Sequence, residues 1–104
     1  MAAEPRRLRV DGATRPLLPR HVVLRHDPHR GLWLLLAPER VLTPDPIAVE
    51  VLRLCDGARS VGDIADILAG RYDAPRDRIA MDVSAMLQEL ADKHFLIATE
   101  EQAG

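Results

Sequence analysis

A chain of 104 residues is one domain's length, and its net charge of -2 offers no handle for phosphate backbones or anionic lipid. The single cysteine, Cys55, excludes an internal disulfide and any multi-cysteine iron–sulfur centre. Aromatic residues are only 3% of the chain, so aliphatic side chains must build the core.

Met1 to Leu8 contains no apolar stretch of signal-peptide length. The longest apolar run, Leu32 to Ala37, falls far short of the roughly 20 residues a membrane span needs. A cytoplasmic protein is expected. Residues 1–19 are rich in Arg, Pro and Ala without a period and read as a flexible N-terminal tail, extended at Arg15-Pro16-Leu17-Leu18-Pro19. The folded domain is expected over residues 20–98, with 99–104 frayed.

Val22, Val23 and Leu24 lie in a strand-like run from His21 to His26. Asp27-Pro28-His29-Arg30-Gly31 carries turn residues, and Leu32-Trp33-Leu34-Leu35-Leu36 follows, so a β-hairpin is predicted. The second run lacks alternation, which predicts that both of its faces are covered. Arg40-Val41-Leu42 reads as a short third strand between Pro38 and Pro44. Prolines on both sides suit a sheet edge and not a sheet centre.

From Asp45 the period becomes helical. Asp45 suits an N-cap with Pro46 at the first helical position, and Ile47, Val51, Leu54 and Cys55 share one predicted face before Gly57 stops the helix. Ser60 and Asp63 stand at capping-box spacing. The second helix then gathers Ile64, Ile67 and Leu68 and ends near Gly70. Asp73 or Ala74, before Pro75, is predicted to open a third helix with the stripe Ile79, Val83, Met86, Leu87 and Leu90. Phe95-Leu96-Ile97 closes the fold as a packed tail or short strand. The fold class is α+β: a three-stranded antiparallel sheet followed by a three-helix bundle, similar to a winged helix-turn-helix.

Little here points to catalysis. Cys55 sits among aliphatic residues, and Asp56 is a poor base for it. His26 and His29 share a proline-containing loop, and no second spaced pair joins His21 or His94 to complete a metal set. Asp63, Asp66, Asp77 and Asp82 read as solvated helix faces beside arginines. No enzyme, metal or cofactor is expected.

Two features point to binding. An edge strand at Arg40 to Leu42 presents unpaired N–H and C=O groups that a second chain can extend. The third helix carries more apolar residues than a narrow stripe needs, including Met81 and Met86. Periodicity alone does not separate a groove from core there. A winged-helix DNA binder is one alternative, opposed by Asp82, Glu89 and Asp92 on the third helix. A structural dimer that pairs through the edge is another.

Arg15-Pro16, Pro19-Arg20, the run from Trp33 to Leu42, Leu54-Cys55-Asp56-Gly57, Val61 with Ile64, Asp82-Val83, and Leu87 with Leu90 resemble the PqqD family of PQQ biosynthesis. The likeness spans about Arg15 to Ile97. It implies a RiPP recognition element, a peptide chaperone that binds the precursor peptide PqqA and presents it to the radical SAM enzyme PqqE. The peptide would add to the third strand and lie against the third helix. On this chain those positions are Arg40, Val41, Leu42, Asp82, Val83, Met86, Leu87 and Leu90. Neither nucleic acid nor membrane is expected as a partner, and a homodimer stays open.

Overall fold

The computed structural model describes residues 8–99. Its elements run β1 (Pro16–Leu17), β2 (Val23–Asp27), β3 (Leu32–Ala37), β4 (Arg40–Leu42), α1 (Pro46–Arg53), α2 (Val61–Tyr72), α3 (Arg76–Asp92) and β5 (Ile97–Ala98). β2, β3 and β4 form an antiparallel sheet in that order, and β1 pairs separately with β5. The α+β class and the three-strand, three-helix plan are as expected.

Local chemistry explains the turns. The Asp27 carboxylate accepts the backbone N–H of His29 at 3.0 Å, and Gly31 takes a left-handed φ of 68° that closes the first hairpin. Pro38 and Glu39 alone join β3 to β4, with Glu39 at a φ of 64°. Only Leu35 of the second apolar run is fully buried; Leu32, Leu34 and Leu36 on the other face are partly exposed. Leu35 is 1% exposed, but Val23 and Val41, across the outer face from Leu36, stay half exposed. The lack of alternation in β3 therefore does not mean a strand buried on both sides.

Asp45 caps α1 by accepting the Ala48 N–H at 2.8 Å, with Pro46 at the start of the helix, as expected. The predicted stripe holds at Val51, Leu54 and Cys55, which are buried, but Ile47 is 57% exposed, and Val49 and Leu52 are buried in addition. This two-turn helix packs toward two neighbours: Leu52 joins the sheet's cluster while Val51 joins the helical one. The Ser60–Asp63 capping box forms with both bonds at 3.0 Å. α2 runs past exposed Gly70 to Tyr72, and Asp73 ends it in a left-handed conformation. Pro75 occupies the N-cap of α3 with no side-chain cap, so neither Asp73 nor Ala74 opens that helix.

The largest difference concerns the N-terminal segment. Residues 1–7 and 100–104 lie outside the described part, but residues 8–19 do not behave as a free tail. Thr14 and Gly12 carbonyls accept the first N–H groups of α2, from Val61 at 2.8 Å and Gly62 at 3.0 Å. Gln88 of α3 donates to the Leu8 carbonyl and accepts from the Val10 N–H. The Pro16 carbonyl accepts from Gly57 and the Arg15 carbonyl from Thr99, each at 2.9 Å. Thr99, expected to be frayed, is tied twice, since its hydroxyl also donates to the Gly57 carbonyl. On the side of this strap, residues 8–19, the ties are made by backbone groups, which leave no period in the sequence.

Two clusters make the core. Val51, Val61, Ile64, Leu68, Val83, Leu87 and Leu96 knit the three helices together. Val22, Leu35, Leu52 and Phe95 fasten the sheet to them, with Leu18, Met86 and Leu90 packed against both clusters.

Candidate functional site

β4 is the open edge of the sheet, paired among the described residues only with β3. Between β4 and α3 lies a groove of about 280 Å³. Leu42, Thr43 and Pro44 form one wall, Met86, Glu89 and Leu90 of α3 with Lys93 at its C-cap the other, and Leu35 and Leu52 the floor. The walls belong to elements fixed independently: β4 by its hairpin to β3, and α3 by Val83 and Leu87 in the helical core. The groove is thus preformed, an apolar trough beside an unpaired backbone.

Polar groups lie at its rim. Glu89 and Lys93, one turn apart on α3, pair at 3.2 Å, and the Asp45 carboxylate is held by the Ala48 N–H. Beside the groove the Arg40 guanidinium stacks 4.3 Å from the centroid of the buried Phe95 ring, which anchors the start of β4 to the core.

Of the residues singled out in the sequence, Leu42, Met86 and Leu90 line the groove together. Arg40 and Val41 complete the edge strand. Asp82 is exposed one helical turn before Met86. Val83 and Leu87 differ: both are buried, Leu87 completely, and they hold α3 in place without reaching the groove. Glu89 and Lys93 were not read from the sequence, although their spacing from Met86 puts them on its helical stripe. Pro44, Ala48 and Leu52 were missed as well, because no pattern within one segment brings α1 against β4.

Cys55 is enclosed. Its Sγ donates to the Val51 carbonyl at 3.3 Å, and burial, helped by the neighbouring Asp56 charge, pushes the thiol up to about 12. A thiol so held is a poor nucleophile near neutrality. Among the described residues no three His, Cys, Asp or Glu side chains converge as metal ligands, and no helix is long and apolar enough to cross a membrane.

A family model described as coenzyme PQQ synthesis protein D (PqqD) matches residues 33–96, from β3 through both walls of the groove. A PqqA binding protein of Bradyrhizobium diazoefficiens is 59% identical over 100 residues, 96% of this chain and 97% of the relative. The solution structure of the PqqD part of Methylobacterium extorquens PqqCD, described as a functional, stand-alone RiPP recognition element, superposes with a TM-score of 0.75. It is 45% identical, over 85% of this chain and 94% of that one. The crystal structure of PqqD from Xanthomonas campestris gives a TM-score of 0.53 at 41% identity, covering 75% of this chain and 87% of that one. Sequence, fold and the span of the match agree, and the chain belongs to the PqqD family.

Proposed function

We propose that this chain is a peptide chaperone of PQQ biosynthesis that binds the precursor peptide PqqA by strand addition to β4. The observation that carries this reading is the pairing of an open edge strand with a preformed apolar groove lined by Leu42, Met86 and Leu90. Backbone bonds to β4 supply affinity that tolerates sequence variation, and the groove selects apolar side chains. The name of the 59% identical relative supports PqqA as the peptide. No step of this role needs a reacting group on the chain: its task is to order the peptide for the radical SAM enzyme PqqE, which performs the chemistry. The acidic residues Asp82, Glu89 and Asp92 of α3 disfavour the alternative of a DNA reader.

Binding orders a flexible peptide, so the affinity is moderate, and a micromolar constant corresponds to about -8 kcal/mol. Titrating isotopically labelled protein with synthetic PqqA is expected to shift the amides of residues 39–43 and of α3. Shifts confined to α2 would overturn the reading.

A further inference from the structure

The three-stranded sheet has an outer face that no described element covers. Leu35 points into the core, and its ladder partners Leu24 and Leu42 share that inner face. Successive strand residues alternate faces, so Val23, Leu36 and Val41 stand on the outer one. The register pairs Val23 with Leu36 and Leu36 with Val41, which aligns the three in one apolar row across the sheet. Its ends are open to solvent, Val23 at 50% and Val41 at 58%.

The same register determines which backbone groups of β4 face the free edge. Ala37 and Arg40 close the hairpin around Pro38 and Glu39. The pair closing a two-residue hairpin exchanges hydrogen bonds, and along an antiparallel ladder such pairs alternate with non-bonded ones. Arg40 and Leu42 therefore turn their N–H and C=O toward β3. Val41, opposite Leu36, turns both of its groups outward. It is the one residue of β4 that offers an incoming strand both a donor and an acceptor.

We infer that Val41 and Leu36 form a second subsite, on the opposite face of the sheet from the groove, which selects an apolar β-branched or aromatic side chain in the bound peptide. The inference rests on the strand-addition reading above. A peptide residue that pairs with both backbone groups of Val41 stands directly opposite it, and directly opposed residues project to the same face. Its side chain extends the row Val23–Leu36–Val41. Its two sequence neighbours point to the inner face, toward Leu42, Met86 and Leu90. A groove alone reads alternate residues; the two faces together read three consecutive ones.

The test uses the full chain and synthetic PqqA. In the free protein the Val41 amide exchanges fast and the Leu42 amide slowly, and peptide protects Val41. Val41→Thr keeps the β-branch and the N–H while removing an apolar methyl at an exposed site. It is expected to weaken binding about twofold to fivefold, the range of one cross-strand apolar pair. One peptide position, when changed to Ser, loses its effect in the Val41→Thr and Leu36→Thr backgrounds. That position lies between two that couple instead to Met86→Ala. If Val41 becomes protected and Met86→Ala weakens binding, but no peptide position couples to Val41→Thr, the second subsite is refuted and strand addition stands. If peptide binds and Val41 stays unprotected, strand addition and the subsite fall together.

Discussion

β1 and β4 are alike in sequence and opposite in circumstance. Each is two or three residues long, apolar in part, and bounded by proline: Pro16 begins one and Pro19 follows it, while Pro38 and Pro44 stand on either side of the other. β1 is enclosed. β5 pairs with it, the Pro16 carbonyl accepts from Gly57, and the Pro16 side chain is fully buried. β4 has β3 on one side and, among the described residues, no strand on the other. Proline excludes both segments from a sheet centre, but it does not say whether the bare edge will be covered. That depends on which distant carbonyls and N–H groups happen to meet it. The enclosed half of the molecule holds the fold and the open half is available to a partner, so substitutions in the two halves should separate stability from binding.

The largest effect belongs to the enclosed half. Leu87→Ala empties a fully buried site among three helices, and should lower unfolding free energy by about 2–5 kcal/mol in chemical denaturation. Affinity per folded molecule should change little, since Leu87 does not line the groove. A strong loss of affinity with stability intact would mean that α3 reshapes on binding and that the two halves are not separate. Gly57→Ala comes next. Gly57 sits at a φ of 81°, and an added Cβ would approach the Thr99 hydroxyl oxygen to 2.7 Å. The left-handed backbone alone costs about 1–2 kcal/mol, and the contact adds to it. Thr99→Ala by itself loses the hydroxyl's bond to the Gly57 carbonyl, so it is the reference: added to it, Gly57→Ala should cost only the backbone component, as read by thermal unfolding. No further cost in that background would mean that the backbone conformation is unstrained.

These two positions also mark what sequence could and could not convey. The Leu87 stripe, the Asp45 cap and the Ser60–Asp63 box follow from local spacing, and all three are present in the structure. The open edge at Arg40 to Leu42 was legible from its flanking prolines; Met86 and Leu90 showed only as part of a broad α3 apolar face, and the family resemblance, not the period, set them at a binding site. The strap was not legible: it joins Arg15 to Thr99 and Leu8 to Gln88, pairs about 80 residues apart that share no pattern. The division of α3 was hidden for a related reason. Val83, Met86, Leu87 and Leu90 form one stripe by period, and only the sheet's position decides that Val83 and Leu87 face the helices while Met86 and Leu90 reach the groove.

Met86→Ala tests that division directly. Met86 is half-buried and lines the groove. Losing its side chain should weaken PqqA binding by about 1–2 kcal/mol, measured by calorimetry, given what burial of a Met side chain contributes. The stability loss should be smaller than for Leu87→Ala. Unchanged affinity would mean that the groove wall plays no part and that the edge strand binds alone.

Acid should reveal the same separation more gently. Asp63 is held below the usual carboxylate range first by the Ser60 N–H and then by the Ser60 side chain, and Asp56 by the N–H groups of Arg59 and Ala58. A carboxyl whose folded value is depressed contributes stability above its unfolded value, near 3.8 here, and loses that contribution as pH falls through the folded one. Asp56 lies in the connection between α1 and α2 and Asp63 in the first turn of α2, both beside the strap, and neither touches the groove. Lowering the pH below about 4 should therefore reduce the protection of the Ala58, Arg59, Ser60 and Asp63 amides, measured as exchange relative to an unstructured chain at the same pH, before it does that of Leu42. Since both carboxyls are exposed, screening keeps the effect small, and it shows as local opening rather than loss of the fold. Acid opening that began at the β3–β4 hairpin would mean that the acid-sensitive contacts do not belong to the enclosed half.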